Sequence, residues 1–552
     1  MSSKELIWDT TLYPCDYPKE IKKTFFHLNI SNRKKFTKWI SNISKNFSEN
    51  FDWWLSPPAS RNPLISDLHK QITILETLNK VKKNFLSIEI VIHSNNFKKI
   101  LKEWSKKQKI PLTVKLKKKN DYIKNKLIPI KTFIFYSIIF IFIKCFIKKK
   151  HIKNNNKITL IDVFQTDFYK NKNFEVLTKN NQIKKKSIYF CPTFVIQRNI
   201  FQILRIINSI KNSNYIFKEH YLNIIDFFKC FYPRFFHQSL KRKFVNYSKW
   251  DLKSVIKEEL SELKDYPSMF LARENYYFCK KISQKEIKIY KSINWFENQT
   301  VDKGWNYGFR KFFPKVRLIG YQGFTHYMQF MNTIPAKHEE KAKIISKEIL
   351  TIGKAYVKMK KEFFPKLNVK VAPALNYQNI FDKYNKTFTN KILIILSGIK
   401  EFDKKILDWT FYFLEKNKNR RVMIKAHPIL PFENLIENEN SKYMKQIITY
   451  EGKLNTILKK THSVICSGPT SATIESLAFN CYLIIPVLEP CDEENIKNLY
   501  IKKNLYSFVY NKYDYNEEIQ KIFKKKYKLI KNSKIKNFLF KKIDKKNINI
   551  FL

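Results

Sequence analysis

Three short stretches of this chain carry residue types and spacings that could do chemistry. The first is Ser467-Gly468-Pro469-Thr470-Ser471, set between the apolar run Val464-Ile465-Cys466 and the helix-forming stretch Ala472–Ala478. A strand that runs into a small polar turn and then a helix presents unpaired N–H groups and the positive end of the helix dipole, which suits a phosphate. Thr470 and Ser471 add hydroxyl donors, and Pro469 fits the first turn of a helix or the turn before it. Glu475 follows Ser471 by one helical turn, where a carboxylate can accept from ribose hydroxyls. The alternative is a plain capped helix with Ser471 as N-cap. The second stretch is His427-Pro428, which closes a strand-like run. Ligands of open α/β sheets bind at the carboxyl edge, and a histidine there can donate to a phosphate oxygen or protonate a leaving group. Pro428 stops the strand, and Lys425, two residues earlier, shares the face of His427 in an extended segment. The third stretch is Trp295-Phe296-Glu297-Asn298-Gln299. Aromatic neighbours would desolvate Glu297 and raise its pKa, as suits a base that deprotonates an acceptor hydroxyl. Its alternative is a carboxylate stabilised at a helix N-terminus. Asp302 and Glu401 are weaker candidates for the base. Arg61, after a strand-like run, is a candidate for binding an anionic acceptor.

The elements that must position these residues alternate between strands and helices, the pattern of a parallel sheet. In the first part, Phe51–Leu55 reads as a strand, 66–82 as a helix, Ser87–His93 as a strand, Phe97–Gln108 as a helix and Leu112–Leu116 as a strand. Strands follow at Lys157–Val163 and Ser187–Phe194, and 196–290 reads mainly as helices. Val316–Tyr321 is a strand entering the Gly320/Gly323 turn, Lys341–Lys361 a long helix and Val369–Leu375 a short strand. A second series begins at Ile392–Leu396, closed by Ser397-Gly398, and continues through helix Lys404–Lys416 and strands Arg421–Ile424, Ser463–Cys466 and Tyr482–Pro486. All eight glycines fall between Gly304 and Gly468. In a chain this poor in glycine, each marks a backbone position that needs positive φ or close approach.

At 552 residues, with 44% hydrophobic and 16% aromatic residues, the chain is long enough for two to four packed domains and is not globally disordered. The net charge of +58 is spread along the whole chain, together with abundant Ile, Asn and Phe, as A/T-rich coding would produce. No zinc-finger or RNP-like pattern accompanies it. The charge therefore points away from nucleic acid, and either to an anionic membrane surface or to a solvated surface with no partner. None of the eight cysteines forms a CxxC pair, and they read as buried residues of a reducing compartment. The first residues lack the apolar core of a signal peptide, so the expected location is cytoplasmic, peripheral on the inner membrane face. Thr132–Ile143 is an uncharged run of 12 residues, shorter than the ~20 that span a bilayer as a helix. Lysine snorkelling could stretch it to Leu127–Ile147. The readings, in order, are an interfacial or re-entrant anchor, a buried element and a transmembrane span.

Two α/β halves, a His-Pro after a strand and a Ser/Thr-rich loop opening a helix with a following Glu resemble the GT-B glycosyltransferases. More narrowly, they resemble the bacterial capsule and surface-carbohydrate group that includes sialyl- and Kdo-type transferases. The segments WFENQTVDKGWNYGFRKFFP and VRLIGYQGF are similar to stretches of surface-carbohydrate biosynthesis proteins, and the resemblance spans about residues 290–490. It implies that His427, Pro428, Thr470 and Ser471 hold a donor nucleotide, CMP in the sialyltransferase-like branch, and that Glu297 in the other half is the base. The paired carboxylates before a glycine that this branch carries are absent.

The expectation is thus an α/β chain with two Rossmann-like domains facing a cleft (GT-B) and a membrane-associating apolar segment in the N-terminal half. Residues 1–340 would form the acceptor domain, with the apolar insertion near 127–150. A linker would span 341–390, the nucleotide-sugar domain 391–510 and a basic helical tail 511–552. The expected activity is metal-independent transfer from a nucleotide-sugar to a surface polysaccharide or lipid-linked saccharide, with no cofactor beyond the co-substrate. Lys425, Pro428, Ser467, Gly468, Thr470, Ser471 and Glu475 would bind the donor, Arg61 the acceptor, and Glu297 and His427 would act in catalysis. The alternatives are a CDP-polyol phosphotransferase, for which His326 is the candidate second histidine, and a non-catalytic membrane-associated assembly factor.

Overall fold

A computed structural model describes residues 5–117, 122–150, 152, 157–165, 174, 176–177, 188–195, 199–231, 245–262, 265–285, 287–384, 392–466, 468, 470–524 and 533–551. The strands are β1 (Glu5–Asp9), β2 (Ser87–Ile92), β3 (Leu112–Leu116), β4 (Ile158–Phe164), β5 (Ile188–Thr193), β6 (Ile289–Trp295), β7 (Arg317–Gln322), β8 (Glu348–Thr351) and β9 (Val369–Val371) in the first part. The second part holds β10 (Ile392–Ile395), β11 (Val422–Lys425), β12 (Ile447–Thr449), β13 (Ser463–Cys466), β14 (Tyr482–Pro486) and β15 (Tyr506–Val509).

They form two six-stranded parallel sheets, ordered β5-β4-β6-β7-β8-β9 and β12-β11-β10-β13-β14-β15, and a three-stranded parallel sheet β1-β2-β3. The central strands are buried along their whole length, as in the ILII of β10 and the SVIC of β13. That is why they read as continuous apolar runs rather than alternating ones. In each six-stranded sheet the strand order reverses once, between β4 and β6 and between β10 and β13. A crevice opens at such a reversal, outside the carboxyl ends of the strands.

The loops at the two carboxyl edges meet. Asn495, beyond β14, accepts from the Met328 backbone N–H at 2.7 Å and donates to Gln329 Oε1 at 3.0 Å. Tyr377, beyond β9, lies close to the Ser471 side chain and the Thr325 backbone. The chain is therefore α/β, with two Rossmann-like domains facing each other across their carboxyl edges.

Several expectations change. The N-terminal part is not one sheet: β1, β2 and β3 have their own apolar core, which joins the larger domain through Phe296, Ile345 and Ile349. Phe51–Leu55 is helical over Phe51–Trp54, because the Asn50 side chain accepts from Trp53 N and caps the turn. The long helix expected at Lys341–Lys361 is interrupted by β8, whose Glu348–Thr351 run is buried, and helix Ala355–Lys360 follows it. The 341–390 stretch is therefore not a linker, since it supplies two strands of the N-terminal sheet.

Nor is the tail an appendage. Helix Lys512–Phe523 packs in the C-terminal core through Tyr515 and Ile519. The last residues return to the N-terminal sheet, where Lys541 N donates to Ile352 O at 2.7 Å and Phe551 lies edge-on to Tyr321. Gly353 is required there, because a Cβ would sit 2.0 Å from Leu539 O.

The apolar segment lies within helix Tyr122–Phe146. One face is packed: Tyr136 stacks on Phe270, Phe140 stacks on Phe227, and the Tyr136 hydroxyl donates to Phe194 O at 3.0 Å. The opposite face, Ile130, Ile134, Ile138 and Ile141, is exposed.

Candidate active site

Three loops converge at the reversal point of the C-terminal sheet. The first leaves β10 at Ser397-Gly398. Asp403, fully buried on the helix that follows, accepts from Ser397 N at 2.6 Å, Ser397 Oγ at 2.9 Å and Gly398 N at 2.8 Å. These bonds fasten the loop to the helix that follows it. Gly398 has φ +83°, and a Cβ on it would lie 2.7 Å from Cγ and Nδ1 of His427. The imidazole therefore rests against the bare backbone of Gly398, a contact that only glycine permits.

The second loop leaves β11 through His427. Its Nδ1 accepts from Ile429 N at 3.3 Å, and its carbonyl accepts from Leu430 N at 3.0 Å. With Nδ1 accepting, the proton of the neutral ring sits on Nε2, which is left to donate. Burial lowers the pKa of His427, and the carboxylate of Asp403 opposes this only in part, so the ring is neutral near pH 7. Pro428 is exposed in the turn.

The third loop leaves β13. Ser467 and Pro469, both expected here, lie outside the described residues. Gly468, with φ +77°, is close enough to the first loop that its Cβ would lie 3.7 Å from that of Ser397. Thr470, not Ser471, is the N-cap of helix Ser471–Ala478: its side chain accepts from Ala472 N at 3.4 Å. Ser471 instead donates to Glu475 Oε1 at 2.8 Å, and burial raises the pKa of Glu475. Glu475 is thus committed to Ser471 and faces Tyr377 of the other domain.

Lys425 does not join this group. Its Nζ donates to Gly452 O at 2.7 Å and lies over the Tyr450 ring, on the side of β12.

Across the interface, Glu297 follows β6. Trp295 Nε1 donates to its Oε1 at 3.0 Å, and Gln299 donates to its Oε2. Burial raises its pKa, against the pull of those two donors and of Lys360. Both readings of Glu297 have a physical basis, because it directly precedes helix Thr300–Phe312. The capping of that helix, however, is shared by the N-cap Gln299 and by Asp302, whose Oδ2 accepts from Glu297 N and Gln299 N at 3.0 Å each. The Glu297 carboxyl is left to the aromatic and amide groups around it, while Asp302 is fully buried and its carboxyl is pushed well above the usual range, first by burial and then by Glu297.

Lys360 is fully buried, donates to Thr333 O, and is pushed well below the ordinary lysine range by burial. His326 is also buried. Its Nδ1 lies 3.3 Å from Thr333 Oγ1, its Nε2 has no partner, and its pKa falls well below 6.5.

Arg61 is not presented to an acceptor. It is the left-handed residue that ends helix Pro57–Ser60 and is 1% exposed. Its Nη2 pairs with Glu339 Oε2 at 2.6 Å and donates to Ile334 O at 3.0 Å. A buried guanidinium held by a buried carboxylate orders the loops around it rather than receiving a substrate.

The sequence places Ser397-Gly398 at the end of a strand but does not assign that loop, its anchor Asp403 or Tyr377 to the site. The loop repeats the strand–turn–helix pattern of 463–478, with a small polar residue and a glycine in the turn, so the same signal could have found it. Tyr377 left no local signal, because only the domain interface brings it to Ser471.

Among the described residues, no group of three or more His, Cys, Asp or Glu side chains could hold a metal ion. No family model and no curated protein matches the chain. Solved structures similar to it include MurG of Acinetobacter baumannii, at 8% identity and TM-score 0.39, covering 72% of this chain and 98% of that one. Another is the UDP-GlcNAc 2-epimerase of Neisseria meningitidis bound to UDP-GlcNAc, at 11% identity and TM-score 0.39, covering 69% and 94%. A third is a TarM variant of S. aureus in complex with Fondaparinux, alpha-GlcNAc-glycerol and UDP, at 13% identity and TM-score 0.36, covering 69% and 94%.

Proposed function

We propose that this chain is a glycosyltransferase that moves a sugar from a nucleotide-sugar to a saccharide acceptor, a surface polysaccharide or a lipid-linked saccharide. One observation carries the reading: Gly398, His427 and the capped start of helix Ser471–Ala478 converge at the reversal point of one sheet, and the edge that bears Glu297 packs against that side. In this reading the donor phosphates sit on the backbone N–H groups of the helix start and accept from His427 Nε2. Both groups stabilise the charge that grows on the leaving phosphate, so transfer needs no metal. Glu297 takes the proton of the acceptor hydroxyl as the glycosidic bond forms. The exposed apolar face of helix Tyr122–Phe146 supports a peripheral place on a membrane surface.

The test is a transfer assay with CMP-, UDP- and GDP-sugars against lipid-linked and free saccharides, with His427→Ala and Glu297→Gln beside the native chain. Turnover of one donor, lost in both variants, supports the reading. No turnover, together with a melting temperature indifferent to saturating nucleotides, favours a non-catalytic assembly factor. The unpartnered Nε2 of His326 keeps a CDP-polyol phosphotransferase in play, and activity with CDP-glycerol that is lost in His326→Ala would replace the first reading with that one.

A further inference from the structure

A cavity of about 950 Å³ lies away from both carboxyl edges, between the residues after helix Arg33–Ser44, helix Ile224–Phe231, helix Tyr266–Ser283 and the far end of helix Thr300–Phe312. Its floor is aromatic. Phe51 and Tyr307 stack at 4.8 Å, Tyr276 stacks on Tyr307 at 5.6 Å, and Lys311 lies over both tyrosines. Four cations line it, Lys45, Lys229, Arg273 and Lys311, against two carboxylates, Glu49 and Asp52. Asp52 is already paired with Arg273 at 2.8 Å. The free balance is therefore positive.

One wall continues into an exposed apolar surface. Ile225 and Phe228 line the cavity and are 59% and 51% exposed. Phe228 stacks on Phe133 of helix Tyr122–Phe146 at 6.1 Å, and from there the exposed stripe runs through Ile130, Ile134, Ile138 and Ile141. A contiguous apolar face of this kind, rimmed by lysine, is rare on a protein whose surface meets only water. The helix holds 20 apolar-rich residues, Leu127–Phe146, enough to cross a bilayer at about 1.5 Å per residue. Yet one side of it is fastened to the domain by Tyr136 and Phe140, so it is placed to lie along an interface.

We propose that this cavity is a headgroup site for an anionic phospholipid, whose acyl chains rest on the face formed by helices Tyr122–Phe146 and Ile224–Phe231. The inference rests on the membrane association proposed above and adds to it a discrete pocket with named cations. The phosphate meets Lys45, Lys229 and Lys311, the glycerol lies over the Tyr307 and Tyr276 rings, and the chains leave past Ile225 and Phe228. It is independent of the donor site.

The test is flotation of the full-length protein with vesicles of phosphatidylcholine alone and with 30% phosphatidylglycerol. It uses the native chain, a variant carrying Lys45→Gln, Lys229→Gln and Lys311→Gln, and a variant carrying Ile134→Ser and Ile141→Ser. All five positions are exposed, and circular dichroism confirms folding. At roughly 1 kcal/mol for each lysine at an anionic surface, the triple variant should lose on the order of a hundredfold in affinity for anionic vesicles. A triple Lys→Gln variant at exposed lysines outside the cavity, Lys99, Lys102 and Lys106, should lose much less. Equal losses in the two lysine variants would overturn the pocket and leave general membrane association standing. No flotation of the native chain would overturn both. Thermal stabilisation by inorganic phosphate that depends on the three cavity lysines, without any preference for anionic vesicles, would overturn the lipid assignment in favour of a soluble anion.

Discussion

The carboxyl edges of the two six-stranded sheets face each other but are built differently. The C-terminal edge is made of backbone: two glycines at positive φ, a capped helix start, and a half-buried neutral histidine. The N-terminal edge is made of ionisable side chains, the half-buried Glu297 and the buried Asp302, Lys360 and His326, all displaced from their ordinary pKa by desolvation. The first kind of surface suits a ligand that brings its own charge, because N–H groups and dipoles bind a phosphate without having to titrate. The second suits proton transfer, because desolvation brings a carboxylic acid towards neutral pH.

If this contrast is sound, the two edges should fail in different ways. The largest expected effect is on the N-terminal edge: Glu297→Gln should lower kcat by ~10²–10⁴ while leaving nucleotide binding intact, read by steady-state kinetics beside a nucleotide titration. His427→Ala should cost less, about 2–3 kcal/mol of transition-state stabilisation, and should weaken nucleotide binding as well. Gly398→Ala forces an L residue into positive φ and onto His427. It should lower stability by about 1–3 kcal/mol and abolish nucleotide-induced stabilisation, measured by thermal melts.

The pH dependence follows from the sign of the Glu297 shift. Its folded-state pKa is raised above 4.5, so the folded protein holds this proton more tightly than the unfolded chain. Ionising Glu297 therefore costs stability as pH rises from about 4.5 through the raised value. Glu297→Gln removes that cost, and should raise the melting temperature at pH 7 relative to native while making little difference at pH 4. In the same window kcat/KM of the native chain should rise with pH, because the base must be ionised. The smallest effect belongs to Lys425→Ala. With its ammonium tied to Gly452, it should change stability by no more than about 0.5 kcal/mol and leave the activity nearly unchanged.

The contrast also explains what could be read in advance. The parallel sheets were legible because strands buried on both faces are unbroken apolar runs, and His427 and Thr470 were legible because each stands where such a run stops. Glu297 was visible through its aromatic neighbours. Arg61 misled, because a sequence does not distinguish an arginine facing solvent from one buried against a glutamate 278 residues later. The lysines and glutamates around Glu348–Thr351 favour helix, and tertiary burial overrides that preference to make it a strand. The return of residues 540–551 to the N-terminal sheet left no local mark, since it depends on contacts made across nearly half the chain.

The central claim is that the C-terminal edge holds a nucleotide against Gly398, His427 and the start of helix Ser471–Ala478. Calorimetric titration of the full-length protein with CMP, UDP and GDP tests it most directly, on the native chain, Glu297→Gln and Gly398→Ala, each confirmed folded by circular dichroism. The account predicts that one nucleotide binds the native chain and Glu297→Gln with similar Kd and binds Gly398→Ala at least about tenfold more weakly, a difference of about 1.4 kcal/mol or more. Binding that is unchanged in Gly398→Ala, or no binding of any of the three to the native chain, would contradict it.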